Sequence, residues 1–227
     1  MTTSHPGPFV IVGMGRSGTS YVGSILDRAG IDMGRELKPP DELNERGYFE
    51  DLEPLRLHQG WLDELGLTLA SLDERFPLDP GAAGRRQVAS FVERRQREAE
   101  RWGLKAPGIL FFWPAWREAL PPQSVLLFPF RHPEGTLRSL ERLGMEREHG
   151  LALWVQLNRL ALHAVDEGRF ESAVLDFDDR RKLAARLSPL LGPYVDPYEL
   201  GFYHHSRGSL PEDPDARALY EELSGRA

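Results

Sequence analysis

Apolar runs and helical repeats alternate along this chain, and their order predicts an α/β fold. Four short apolar runs are typical of buried strands, at 9–12, 103–106, 124–130 and 172–177. Segments with helical spacing of apolar residues lie between and beside them, at 50–65, 85–102 and 147–168. Strands joined by helices favour parallel pairing, because a crossover helix returns the chain to the same edge of the sheet. We therefore expect three α/β/α layers around a parallel central sheet, with the topology of phosphate-loop proteins.

A glycine-rich turn joins the first apolar run to the first helical pattern. Residues 13–20 are GMGRSGTS, and the helical pattern that follows ends at Gly30. A strand, a glycine-rich turn and a helix N-terminus together form an anion site, because free backbone N–H groups and the helix dipole point at the ligand. The segment therefore predicts a bound phosphate or a related anion.

Two well-known nucleotide-binding patterns overlap this turn, and each lacks a part. Gly13, Gly15 and Gly18 spell the dinucleotide fingerprint GxGxxG, but the stretch around Asp32 has no apolar run for the second strand. The same turn fits the ATP-binding pattern GxxxxGK[ST], except that Thr19 stands where the lysine should be. A kinase also needs an aspartate for Mg²⁺ near the end of a neighbouring strand, whereas 124–130 is followed by Arg131.

A phosphosulfate is the third candidate ligand for this turn. A sulfuryl group carries less negative charge than a phosphoryl group, so a cationic side chain and backbone amides can replace magnesium. Arg16 lies inside the turn and supplies such a cation. A second motif, FRHPEGTLRSL, has Arg131 at the end of a strand and Ser139 eight residues later. A guanidinium and a hydroxyl two helical turns on can bind one phosphate from the same face.

These two motifs resemble those of the sulfotransferases that use 3′-phosphoadenosine-5′-phosphosulfate (PAPS). The resemblance implies PAPS as the cofactor, a 3′-phosphate held by Arg131 and Ser139, and a 5′-phosphosulfate held by the loop. The implied loop ligands are Gly15, Arg16, Ser17, Gly18, Thr19 and Ser20. WGLKAP resembles a segment of bacterial members and implies a sulfuryl contact from Lys105. The resemblance covers residues 9–192, and at the C-terminus SRGS, residues 206–209, resembles the family's glycine-rich loop only faintly.

The general base that accepts the acceptor's proton is predicted from the same resemblance. The segment NERGYFEDLEPLRLHQGWL resembles the one in which many members carry a catalytic glutamate, and this implies Glu50. Asp51 and His58 are the alternatives, and each of the three also has an ordinary structural interpretation as a helix-capping or surface residue. The aromatic residues between 111 and 116 line either an acceptor site or, more typically, the core, and the pair at 204–205 is expected to face solvent.

Composition bounds the remaining possibilities. The 227 residues are expected to form one sulfotransferase-like domain, 1–227, and the net charge of −7 argues against general nucleic-acid binding. There is no cysteine, no signal peptide and no transmembrane run, so a cytoplasmic protein without a metal site is expected. The sequence predicts an enzyme that sulfates a small molecule, a sugar or a lipid. A Mg-ATP-dependent small-molecule kinase and a non-catalytic nucleotide-binding module are the alternatives.

Overall fold

The computed structural model describes residues 6–192 and 209–227, and in this part of the chain four parallel strands form one sheet. The strands are β1 (Phe9–Ile11), β2 (Gly103–Lys105), β3 (Val125–Phe130) and β4 (Glu171–Asp176), in the order β2-β1-β3-β4. The central strand β1 pairs Ile11 with Lys105 on one side and with Leu127 on the other. The four predicted apolar runs are these four strands, and the parallel pairing is confirmed.

Helices follow the strands in the order expected of an α/β protein. They are α1 (Thr19–Arg28), α2 (Leu52–Glu64), α3 (Gly81–Glu98), α4 (Trp113–Ala119), α5 (Pro133–Glu141), α6 (Arg147–Asp166), α7 (Arg180–Leu191) and α8 (Pro214–Arg226). Helix α3 begins four residues before the predicted start, because the Asp79 side chain accepts the Gly81 N–H at 3.0 Å and opens the helix there. Among the described residues, no helix is long and apolar enough to cross a membrane.

Both faces of the sheet are covered, so the molecule has three layers. Alternate strand residues point to opposite faces. Val125 and Leu127 pack with apolar residues of α1 and α7, whereas Leu126 and Phe128 pack with those of α3, α4, α6 and α8. The predicted three-layer α/β/α arrangement with a phosphate-loop-like topology is therefore confirmed.

Two features of the helical pattern differ from a simple amphipathic stripe. The aromatic residues between 111 and 116 are core residues, since Phe111, Phe112, Trp113 and Trp116 are each at most 2% exposed. On α2 the inward face includes the buried His58 next to Leu62, while Leu65 is half exposed just after the helix ends. The polar residue inside α2 matters for the site described next.

Candidate active site

The glycine-rich turn between β1 and α1 leaves the start of the helix open to a ligand. Gly18 is the N-cap of α1 and has a φ of 92°, and no described side chain caps this helix end. The N–H groups at the start of α1 are therefore available to an anion. A Cβ atom on Gly18 would lie 2.2 Å from the Phe177 ring, so only glycine fits both the backbone angle and the space.

Arg16 connects the turn to the second motif. Its φ of 70° is in the left-handed region, which is rare for a residue with a side chain. Its Nε atom donates a hydrogen bond to the Oγ atom of Ser139 on α5 at 2.8 Å, across 123 residues of chain. The two motifs that the sequence analysis treats separately therefore contact each other directly.

A cavity of about 560 Å³ lies where the two motifs meet. Its lining residues are Arg16, 18–21, 42–46, Arg131, Ser139, Arg142 and Phe177. Two predicted loop ligands, Gly15 and Ser17, are outside this lining. The Ser17 side chain is fully buried, with its hydroxyl oxygen 3.5 Å from that of Thr136, so it packs the turn against α5. Sequence reasoning places Ser17 in the loop but gives no sign of this inward direction.

Arg131 is held from several sides at the rim of β3. Its Nε atom lies 3.4 Å from Oδ1 of Asp178, and its guanidinium carbon lies 5.4 Å from the centre of the Phe177 ring. The other carboxylate oxygen of Asp178 accepts the His132 N–H at 2.9 Å. Burial lowers the pKa of Arg131 below its usual range, the Asp178 carboxylate opposes this shift, and Arg142 and Arg16 add to it. An arginine keeps its charge in either case, so this wall of the cavity is cationic.

The wall formed by residues 42–46 is the part of the cavity that the sequence analysis misses. Asp41 organises this segment: it accepts the N–H groups of Leu43 and Asn44 and, at 2.7 Å, the Tyr48 hydroxyl proton. Burial and this hydrogen bond raise the pKa of Tyr48 to about 12. The segment PPDELN at 39–44 combines proline, aspartate and asparagine, which are typical of turns. This composition does not reveal which site the turn faces.

Glu50 and Lys105 form an ion pair in the interior. The Lys105 ammonium donates to Oε1 of Glu50, and both residues are about 95% buried, with exposed fractions of 4% and 5%. Burial lowers the pKa of Lys105, and the Glu50 carboxylate acts in the opposite direction. Lys38 and Arg16 lower it further, which shows that the pair lies within electrostatic reach of the turn. Neither partner belongs to the lining of the cavity.

The two alternative bases are engaged elsewhere. Asp51 is the N-cap of α2 and accepts the N–H groups of Glu53 at 3.0 Å and of Arg35 at 3.1 Å. The buried His58 has its Nδ1 atom 2.8 Å from the Pro107 carbonyl oxygen, and its Nε2 atom accepts the Trp116 indole N–H at 2.8 Å. Burial lowers the pKa of His58 to about 4. Both imidazole nitrogens are therefore used in packing the core.

The remaining candidates from the sequence lie away from this site or outside the described residues. Asp32, considered for a dinucleotide ribose, instead accepts a hydrogen bond from the buried Arg95 at 2.7 Å. Within 6–192 and 209–227, no group of three or more metal-ligating side chains is gathered. The pair at 204–205 and the residues 206–208 of the SRGS segment are outside the described part of the chain.

Comparison with known proteins does not assign the chain to a family. No family model and no curated protein sequence matches it. The chain is similar to the sulfotransferase domain of the olefin synthase from Synechococcus PCC 7002, with 21% identity over 100% of this chain and 91% of that one, at a TM-score of 0.48. It is also similar to a gluconokinase from Sinorhizobium meliloti 1021, with 19% identity over 83% of this chain and 91% of that one, at a TM-score of 0.42.

Proposed function

We propose that this protein transfers a sulfuryl group from PAPS to an acceptor hydroxyl. The observation that carries the proposal is the meeting of two anion-binding motifs in one cavity: the open start of α1 on one side and Arg131 with Ser139 on the other. PAPS has two separated anionic ends, a 5′-phosphosulfate and a 3′-phosphate. A cavity with two anion-binding walls suits such a molecule better than it suits a nucleotide with a single phosphate chain.

The residues of the cavity fit this cofactor. Thr19 and Ser20 at the start of α1 would hold the 5′-phosphosulfate, and Arg131 with Ser139 would hold the 3′-phosphate. The Ser139 oxygen accepts a hydrogen bond from Arg16, so its own proton remains available to a phosphate oxygen. A volume of about 560 Å³ is in the range of small-molecule sites. When bound, PAPS supplies the sulfuryl group and a phosphate leaving group.

The proposed reaction requires the protein to remove the proton of the acceptor hydroxyl and to stabilise negative charge near the turn. Glu50 accepts the proton of the acceptor hydroxyl, and the ion pair with Lys105 fixes the position of the Glu50 carboxylate. The positive charges of Arg16 and Lys105 stabilise negative charge near the turn. Glu50 is chosen because its carboxylate pairs with Lys105 within electrostatic reach of the turn, whereas Asp51 and His58 serve the helix cap and the aromatic core.

A Mg-ATP-dependent small-molecule kinase is the second candidate, and Ser20 is the observation in its favour. This residue lines the cavity at the position of the magnesium-binding hydroxyl in the ATP loop. The loop still has Thr19 where the lysine belongs, and β3 is followed by Arg131. At the end of the neighbouring β4, Asp176 is buried and accepts the N–H of Asp178 at 2.9 Å. A non-catalytic nucleotide-binding module would use the same cavity without turnover.

A thermal-shift panel with adenosine 3′,5′-bisphosphate (PAP), PAPS, ADP, ATP with Mg²⁺ and NAD tests the proposal. We expect PAP to stabilise the protein far more than ADP, which lacks the 3′-phosphate. Arg131→Ala should remove most of that difference, because one charge-assisted hydrogen bond contributes about 1.5–3 kcal/mol. Arg138→Ala is the matched control, since Arg138 lies on α5 next to Ser139, is exposed and does not line the cavity.

Each alternative predicts a different panel. Equal shifts with PAP and ADP would contradict the assigned 3′-phosphate site, and a shift that requires ATP with Mg²⁺ would favour the kinase. Strong PAP binding without sulfuryl transfer to any hydroxyl of a small-molecule, sugar or lipid panel would favour the binding module.

A further inference from the structure

We infer that Gly135 is a positioning residue for Arg131: the missing side chain at 135 sets where the guanidinium lies. The inference rests on the proposed function, because it concerns the arginine assigned to the 3′-phosphate. Gly135 is the third residue of α5, in the middle of the segment that joins Arg131 to Ser139. The motif is defined by Arg131 and Ser139 at its two ends, and it requires nothing at position 135.

The distances show how close the guanidinium comes to the helix. A Cβ atom built on Gly135 would lie 2.5 Å from Nε of Arg131, 2.7 Å from Cζ and 3.0 Å from Nη2. Carbon and nitrogen atoms that are not bonded do not approach to 2.5 Å, so any side chain at 135 would have to displace the guanidinium. The flat group therefore rests on the bare backbone of α5, with Asp178 and the Phe177 ring as its other contacts.

A side chain at 135 would displace the Arg131 side chain and would not disturb helix α5. Gly135 has no positive φ, so an alanine there meets no backbone strain, and alanine favours helix more than glycine does. The three nearest atoms to the added Cβ all belong to the end of one flexible side chain. The substitution should thus leave the fold intact and move the group that binds the phosphate.

The functional consequence concerns nucleotide selection. A guanidinium binds phosphate through a rigid fork of N–H groups, so its hydrogen bonds weaken sharply when the fork shifts or tilts. When the guanidinium is displaced, the affinity for a nucleotide with a 3′-phosphate should fall toward the affinity for the same nucleotide without that phosphate. Gly135 therefore determines specificity through Arg131 and need not contact the ligand itself.

The experiment compares Gly135→Ala with Gly60→Ala. Gly60 lies inside α2, and a Cβ there meets nothing within 4 Å, so it reports what a glycine-to-alanine change does to an open helical position. For each protein, calorimetry measures the affinities for PAP and for 5′-AMP, which differ only in the 3′-phosphate, and a thermal scan measures Tm. We expect Gly60→Ala to melt no lower than wild type and Gly135→Ala to melt within a few degrees of it, because the Arg131–Asp178 contact is disturbed but not removed. We expect Gly135→Ala to bind PAP about tenfold or more weakly with 5′-AMP affinity unchanged.

A double-mutant cycle with Arg131→Ala shows whether Gly135 acts through Arg131. In the Arg131→Ala background, Gly135→Ala should cause no further loss of PAP affinity. A further loss there, wild-type PAP affinity in the single variant, or a Tm far below that of Gly60→Ala would each overturn the inference. If wild-type protein prefers PAP and only the Gly135 result fails, the proposed function stands. If wild-type protein does not distinguish PAP from 5′-AMP, the 3′-phosphate assignment and this inference fall together.

Discussion

The buried pair of Glu50 and Lys105 is the least expected contact of the site at the scale of single residues. A lone charge in a protein interior is unfavourable, so each partner offsets the burial of the other. The two residues are 55 positions apart in the chain and belong to different segments, so the sequence gives no sign of this contact. A base and a cation predicted as independent groups are in fact one electrostatic unit.

Glu50→Gln should therefore damage both activity and stability. Loss of a general base reduces the rate about 10²–10⁴-fold, and a buried Lys105 without its counter-charge costs about 3–5 kcal/mol of folding free energy. Sulfuryl transfer to an acceptor found in the hydroxyl panel measures the first effect, and urea unfolding measures the second. PAP affinity should change little, because Glu50 does not line the cavity.

Two further variants separate these effects. Glu50→Gln combined with Lys105→Met removes both charges and should recover much of the stability without recovering the activity. Asp51→Asn is the control, because asparagine also caps a helix and only the neighbouring charge is lost. A Glu50→Gln protein that transfers sulfuryl groups within a few-fold of wild type would show that the base lies elsewhere.

The burial of His58 predicts that the free energy of unfolding depends on pH. Its folded-state pKa of about 4 is below the unfolded value of 6.5, so the folded protein binds fewer protons than the unfolded chain between these values. The contribution is present above pH 6.5 and is lost as the pH falls toward 4. At pH 4.5 this loss amounts to about 2–3 kcal/mol.

Urea unfolding of wild type and His58→Gln at pH 7 and pH 4.5 measures this term. The variant should lose less stability on acidification than wild type does, and His149→Gln, which removes a histidine outside this aromatic core, is the control. Identical pH dependence of wild type and His58→Gln would show that the imidazole does not resist protonation in the folded state.

At the scale of elements, parallel strands bring the cationic residues Arg16, Lys105 and Arg131 to one edge of the sheet. Lys105 ends β2, Arg131 directly follows β3, and Arg16 lies in the turn that follows β1. The sequence predicts the strands and the Arg131–Ser139 spacing, because both depend on local periodicity. It does not predict that β1 lies between β2 and β3, or that 42–46 closes the cavity, because these depend on contacts between distant segments.

The residues at the ends of β3 and β4 predict that sulfuryl transfer does not depend on a divalent cation. Arg131 follows β3 at the position where a kinase carries its magnesium aspartate, and Asp176 at the end of β4 is used within its own turn. Sulfuryl transfer from PAPS should therefore survive an excess of EDTA. Activity that disappears on chelation and returns with Mg²⁺ would instead support the kinase.

At the scale of the whole molecule, charge is distributed unevenly. The chain has a net charge of −7, yet one cavity is lined by the four arginines 16, 46, 131 and 142 against the two glutamates 42 and 45. A cavity with low-dielectric walls concentrates the field of its own charges, so the proposed anionic nucleotide would be attracted locally by an otherwise acidic protein. This explains why the overall composition, which argues against a general nucleic-acid surface, gives no warning of the proposed anion site.

The position of β1 has a consequence for amide hydrogen exchange. Its three residues are at most 2% exposed and are paired on both sides, so their amides should exchange only when the whole molecule unfolds. The facing wall at 42–46 is largely exposed and should exchange within a local opening. Saturating PAP should slow exchange at 42–46 without altering the ranking of β1. Equal protection of the two segments before PAP is added would contradict the expected contrast, in which residues 42–46 open to admit the proposed nucleotide while β1 stays closed.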